Sequence, residues 1–290
     1  PDRLKRAAAR ADNSRMGRLG RTAVVAIAAI AAAVLAACSS GTTSASPSTT
    51  TVPGTSTRAS TSAPPHPRVL VYRGPAGCDG CSEAAAAWIA EALPGAQTEY
   101  VGPDESRPVD EQALAGAALY LQPGGDLSVD EAAAALTAAE QRAITAYVEA
   151  GGRYLGICQG AYLAGHDPGM GLLGGADTGQ YIALPDAAVR TEADALVPVL
   201  LGGRRVQAYF QDGPYVVPDA RTTVVARYAD GPVDAATTTY GRGTVGVVGT
   251  HPEAPLRWYR DAGLDASGRT GNAAVGTALL QAMGLDDLPS

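Results

Sequence analysis

Lysine is almost missing from this chain: Lys5 is the only one in 290 residues. Histidine is scarce at three, cysteine at four and tryptophan at two, and Phe210 is the only phenylalanine. These shortages narrow the range of functions. Residues 1–37 hold seven of the 22 Lys and Arg and two of the 29 Asp and Glu, which leaves 15 arginines against 27 acids, net −12. A domain this acidic is unsuited to nucleic acid or to anionic lipid surfaces, and no nucleic-acid partner is expected. Structural zinc takes four ligands. Cys78-Asp79-Gly80-Cys81 supplies two, and beyond residue 67 only His166 and His251 remain as histidines. No metal and no other cofactor are therefore expected. The apolar run from Ala23 to Ala37 falls short of the roughly 18 to 20 residues that span a bilayer. No internal repeat is visible.

That short run is informative in another way. It follows Met16-Gly17-Arg18-Leu19-Gly20-Arg21, so a short positive region precedes a hydrophobic one, the pattern of an export signal with Met16 as its expected start. It closes on Leu35-Ala36-Ala37-Cys38, which resembles the lipobox of bacterial lipoproteins. The resemblance implies that Cys38 receives a diacylglyceryl group, that the preceding peptide is removed, and that the new N-terminus is acylated, with palmitate as the expected fatty acid. Ser39 to Pro67 is rich in Ser, Thr and Pro and cannot bury enough surface to offset its chain entropy, so a disordered tether is expected there, with His66 simply solvated. The expected organisation is an export signal over 1–37, a lipidated cysteine and tether over 38–67, and one folded domain over 68–288. The protein is placed at the cell membrane, lipid-anchored on the extracytoplasmic face.

Within 68–288, Arg68-Val69-Leu70-Val71-Tyr72 is an apolar run ending at Gly74-Pro75 and reads as a buried strand. Ser82 to Leu93 reads as a helix capped by Ser82 and stopped by Pro94-Gly95. Ala117 to Leu121 is a second strand, ending at Pro123-Gly124-Gly125. Thr137-Ala138-Ala139-Glu140 is a capping box, and the helix it opens ends at Gly151-Gly152. Tyr154 to Ile157 is the next strand, ending at Cys158. Strands alternating with helices predict parallel pairing through crossovers, and in such sheets the active site lies at the carboxyl ends of the strands. From Val197 onward the pattern is richer in strands (Arg205 to Tyr209, Thr223 to Tyr228, Ala236 to Tyr240, Val245 to Val248), and a helix over about Asn272 to Met283 follows. The expected fold is α/β, a three-layer sandwich around a mostly parallel sheet.

Two motifs carry chemistry. Gly156-Ile157-Cys158-Gln159-Gly160 is a strand followed by G-x-C-x-G. A nucleophile on a sharp strand-to-helix turn needs small residues on both sides, and the turn sets the sulfur at a helix N-terminus. Taken alone, the motif is equally compatible with a buried structural cysteine. Gly249-Thr250-His251-Pro252-Glu253 follows a strand and sets an imidazole and a carboxylate two positions apart, as a base and its orienting group require. Together these motifs resemble the class I glutamine amidotransferase superfamily, whose fold is flavodoxin-like. Val71-Tyr72-Arg73-Gly74-Pro75, Gln122-Pro123-Gly124-Gly125, the stretch from Gly152 to Tyr162, and His251-Pro252-Glu253 look closer still to the biotin-protein ligase N-terminal domain family. The resemblance implies Cys158 as nucleophile, His251 as general base and acid, and Glu253 as the orienting group. It also implies an oxyanion held by backbone amides of Gln159 and the Gly124-Gly125 loop, with Gly74 and Tyr162 near the substrate. Tyr162 stands where the amidotransferases carry a glutamine that helps hold their substrate, so glutamine does not carry over as the substrate. Nothing in the chain resembles the biotin-adenylating catalytic domain, so no biotin transfer is expected.

Three features stay open on sequence alone. Cys78-x-x-Cys81 fits a local disulfide, a redox pair or, last, a metal site. His166 fits a pocket residue or a solvated turn. Tyr209-Phe210-Gln211-Asp212-Gly213-Pro214-Tyr215 fits a substrate wall or a hairpin with core aromatics, and Trp258 and Tyr259 read as packing residues. Two functions follow. One is a hydrolase or transferase that opens an amide-type bond of a small-molecule or peptide-like envelope substrate through a Cys158 thioester. The other is a ligand-binding module that retains the fold without catalysis.

Overall fold

The computed structural model describes residues 66–285. Met16, Cys38, the segment 1–37 and nearly all of 38–67 lie outside them. Strands are β1 Arg68–Tyr72, β2 Gln97–Val101, β3 Leu119–Gln122, β4 Arg153–Ile157, β5 Asp177–Gln180, β6 Ala195–Leu201, β7 Arg204–Phe210, β8 Pro214–Val217, β9 Thr223–Tyr228, β10 Val233–Tyr240 and β11 Gly243–Val248. Helices are α1 Cys81–Ala92, α2 Glu111–Leu114, α3 Val129–Ala135, α4 Ala138–Glu149, α5 Gln159–Ala164, α6 Leu256–Asp261 and α7 Arg269–Ala282. Among the described residues no helix is long and apolar enough to cross a membrane.

The strands form one mixed sheet in the order β2-β1-β3-β4-β11-β10-β9-β6-β7, with β8 joining β10 and β5 joining β8. The pairs β1–β2, β1–β3, β3–β4 and β4–β11 are parallel. The pairs beyond β11 are antiparallel. Parallel pairing is thus confined to five strands, and the strand-rich half of the sequence extends them as hairpins. The reason is local. Turns such as Gly202-Gly203 and Gly241-Arg242 join consecutive strands directly, and both of those glycines at the first turn, like Gly241, take positive φ. A connection that short permits only antiparallel pairing.

The inner parallel strands β1, β3 and β4 are largely apolar on both faces because helices cover both. Val69, Val71, Leu119, Leu121, Leu155 and Ile157 pack with Trp88 and Ile89 of α1 and Val275 and Leu279 of α7. Leu70, Tyr72, Tyr120 and Tyr154 pack on the other side with Ile144 and Val148 of α4 and Ala161 and Leu163 of α5. The expected capping box opens α4, with both reciprocal hydrogen bonds between Thr137 and Glu140. Ser82 departs from expectation. Gly80, in the left-handed region, is the N-cap of α1, while the Ser82 hydroxyl turns inward and donates to the Tyr72 carbonyl at 2.7 Å. That bond ties α1 to the end of β1.

Register decides where the chemistry gathers. Gln122 of β3 is level with Gly156 of β4, and Ile157 is level with Val248 of β11. Three adjacent parallel strands therefore end in step, and each is followed by one of the sequence motifs: Gly124-Gly125, Cys158, and His251-Pro252-Glu253.

Candidate active site

Cys158 occupies the turn between β4 and α5 with φ 50° and ψ −108°, a conformation that a side-chain-bearing residue adopts only when its surroundings impose it. The flanking glycines make the turn possible. A Cβ on Gly156 would lie 2.3 Å from the Gly160 carbonyl oxygen, and one on Gly160 would lie 2.1 Å from that of Gln122. The Tyr154 hydroxyl donates to the Gly160 carbonyl at 2.7 Å and fixes the turn from below. The Cys158 carbonyl accepts from the Ala161 and Tyr162 amides at 2.9 and 3.2 Å, which leaves the Gln159 and Gly160 amides at the helix start without an intrahelical acceptor.

His251 and Glu253 are brought to the same point. His251 Nδ1 lies 2.8 Å from Glu253 Oε1, and both side chains are buried. With Nδ1 bonded to the carboxylate, a neutral ring carries its proton there and leaves Nε2 as acceptor, the tautomer a base requires. Nε2 is buried without a hydrogen bond. A Cβ placed on Gly124 would touch His251 Cε1 at 3.0 Å and Cys158 Cβ at 3.7 Å, so nucleophile, imidazole and glycine loop converge on one spot. Burial pushes the imidazole's proton affinity down. The Glu253 carboxylate and the Cys158 sulfur outweigh burial and raise it well above the ordinary histidine range. Tyr209 and Trp258 wall the ring edge-on, with centroids 6.0 and 5.8 Å from it.

The remaining predicted residues separate into those at the spot and those beside it. Gly125 lies against the Gln159 side chain, where a Cβ would collide with Oε1, while Gln159 Nε2 donates to the Leu127 carbonyl in a short contact. Tyr162 reaches the Asp212 carbonyl at 3.5 Å. Burial, then the nearby Cys158 and Asp212, drive its phenol far above its usual range, so it stays neutral. Gly74 is not at the sulfur: it packs against the Tyr72 hydroxyl and Pro103 and accepts from the Gly77 amide at 2.9 Å. Gly77 in turn lies beside Pro123 and the Gly124 carbonyl. Cys78 and Cys81 are disulfide-bonded, and the Cys78 amide donates to the Gly124 carbonyl at 3.1 Å, so the disulfide loop braces the glycine loop. His166 is exposed, and only its backbone is held, by Asp177 Oδ1 at 3.2 Å.

The aromatic turn after β7 covers the nucleophile. Cys158 Sγ lies 3.4 Å from the Gln211 carbonyl oxygen, and Asp212, at φ 47°, is held by Gln180 Nε2 at 2.9 and 3.2 Å. Cys158 is 6% exposed. Sequence reasoning missed Gln180 and Asp212 as partners, since they lie 32 residues apart with no shared motif.

Residues 68–168 match the family model described as biotin-protein ligase, N terminal. Among solved structures, PurLQS from Thermotoga maritima is 20% identical, with a TM-score of 0.52 over 75% of this chain and 99% of that one. A glutamine amidotransferase from the same organism is 16% identical, with a TM-score of 0.52 over 77% of this chain and 99% of that one. At such identities the likeness is one of fold, and the fold is that of the class I glutamine amidotransferases. The comparison with curated proteins found no match.

Proposed function

We propose that this protein is an envelope lipoprotein whose domain opens an amide-type bond with Cys158 as nucleophile. The observation that carries the reading is the convergence of Cys158, the Glu253-bonded His251 and the Gly124 backbone on one point. In the proposed reaction the Cys158 proton passes to His251 Nε2 and the sulfur attacks the carbonyl carbon. Charge that develops on the carbonyl oxygen is met by backbone amides of Gln159 and the glycine loop. The C–N bond breaks, His251 returns the proton to the leaving amine, and water, deprotonated by His251, releases the acid from the thioester. Tyr162 and the 211–213 turn would shape the acyl site for a group other than glutamine, in keeping with a small-molecule or peptide-like envelope substrate. Screening amide and γ-glutamyl compounds is expected to find turnover that Cys158→Ser abolishes, a loss of at least about 10³-fold for removal of a nucleophile.

The low exposure of Cys158 favours a second reading, a binding module in which the turn after β7 stays shut. Turnover lost in Cys158→Ser would sink it. Anchoring has its own test. Two or three acyl chains hold a protein on a membrane where one does so only marginally. The mature protein is expected to sediment with membranes, and Cys38→Ala to appear in the soluble fraction with the domain's melting temperature unchanged. Wild-type protein recovered free, with residues 16–37 intact, would refute the anchor.

A further inference from the structure

The imidazole is held by more than Glu253. Its backbone sits between two buried polar side chains that no motif announces. From β10, Asp234 accepts from the Thr250 amide at 2.9 Å and from the Thr250 hydroxyl at 3.0 Å, and its own carbonyl accepts from the Gly249 amide at 2.9 Å. From α7, Asn272 donates through Nδ2 to the His251 carbonyl in a short contact and accepts at Oδ1 from the Tyr209 amide at 3.2 Å. The Tyr209 carbonyl in turn accepts from the His251 amide at 2.9 Å. Asp234 and Asn272 are both fully buried. We propose that Asp234 and Asn272 are positioning residues that fix the 249–251 turn from opposite sides and thereby hold His251 Nε2 at the Cys158 sulfur.

The chemistry of each side chain suits the task. One partner of Asn272 is a backbone carbonyl and the other a backbone amide, so the side chain must donate at one end and accept at the other. An ionised aspartate cannot donate and leucine can do neither. A buried carboxyl is costly unless its oxygens are bonded, and both oxygens of Asp234 bond to Thr250. Burial raises the Asp234 carboxyl to about 6, against the lowering effect of bonds from Thr250, Tyr228 and Gly249. The groups around it are the Tyr228 phenol on β9, the Tyr181 phenol, and Thr250 on its own turn. Those around His251 are Glu253 and Cys158, with the Tyr209 and Trp258 rings.

This inference rests on the Cys158–His251 reading, and its test separates the two. Iodoacetamide labelling of Cys158 in the full-length protein is followed from pH 5 to 9 in wild type, His251→Ala, Asn272→Asp, Asp234→Leu and Asp234→Asn, with melting curves for each. A ring held at the sulfur to take its proton speeds labelling below pH 7, and its loss slows labelling there. Asn272→Asp and Asp234→Leu are expected to move about halfway to the His251→Ala profile, a fall on the order of tenfold at pH 6.5. Asp234→Asn still accepts from the Thr250 amide and can donate to its hydroxyl, so it should keep the wild-type profile. Thr250→Val loses one Asp234 bond and no charge, and should shift part of the way even if Asp234→Leu fails to fold. Identical profiles in wild type and His251→Ala would remove the underlying reading. A His251 effect that Asn272→Asp, Thr250→Val and Asp234→Leu all fail to reproduce while folded would overturn the positioning role alone.

Discussion

Replacing His251 with alanine is expected to slow alkylation of Cys158 at pH 6.5 by about 100-fold and to make the rate climb with pH up to about 9. The size follows from ionisation. An unassisted thiol ionises near 8.5, so about 1% is thiolate at pH 6.5. In the native site the ring is positioned to take that proton. Burial opposes a charged imidazole, but the Glu253 carboxylate and the Cys158 sulfur more than offset it, so the imidazolium persists above the ordinary histidine range. That ring is the proton acceptor the sulfur loses in His251→Ala. The sign follows: wild-type labelling should level off through neutral pH, whereas the variant's should still be rising there. Glu253→Gln should lie between them, since it keeps an oxygen near Nδ1 and loses the charge. Stopped-flow or mass-spectrometric labelling across the range would check this, and a wild-type curve superimposable on that of His251→Ala would refute the pairing.

The second large effect lies in the elbow. Gly160→Ala is expected to destabilise the domain by about 1–3 kcal/mol, the usual cost of overpacking, and to misplace the nucleophile. Its Cβ would stand 2.1 Å from the Gln122 carbonyl oxygen and 2.9 Å from the carbonyl carbon. Both atoms are backbone, at the end of a central strand paired to β1 and β4, so no side chain can move aside. At about 2–4 °C per kcal/mol for a domain of this size, the melting temperature should fall by several degrees. Gly77→Ala is the matching control. Its Cβ would meet its nearest atoms at 3.4 Å or more, and a change of under about 0.5 kcal/mol is expected. Equal melting temperatures for Gly160→Ala and wild type would show that the strand ends are not as tightly opposed as described.

The elements that the sequence revealed were those in which local pattern and tertiary role agree. β1 is apolar throughout because both faces are buried, and Thr137–Glu140 caps a helix by contacts contained within four residues. The elbow was legible because a strained turn demands glycine on both sides. β2 was not: Gln97-Thr98-Glu99-Tyr100-Val101 is an edge strand and carries too few apolar residues to stand out. Asp234 left one faint signal, a carboxylate in a strand whose other residues are all uncharged, which is costly unless bonded. Asn272 left none, because a polar residue in the first turn of a helix is ordinary and its partners, His251 and Tyr209, are 21 and 63 residues away. Ser82 gave a false signal, since a hydroxyl near a helix start can cap it or, as here, bond a neighbouring strand.

The position of β11 has a consequence for how thiols are managed while the chain folds. β11 lies between β4 and β10, so the elbow acquires its imidazole only when residues far downstream have arrived. Until then, among the described residues, three sulfhydryls share one chain, and an odd number always leaves one without a partner. Thiol–disulfide exchange selects by proximity and access. Cys78 and Cys81 are three residues apart and can close on each other without waiting for the sheet, which withdraws both from competition. Cys158 is then enclosed by the turn after β7 and the late-arriving His251. In the folded domain Cys158 is the one free and buried cysteine among the described residues.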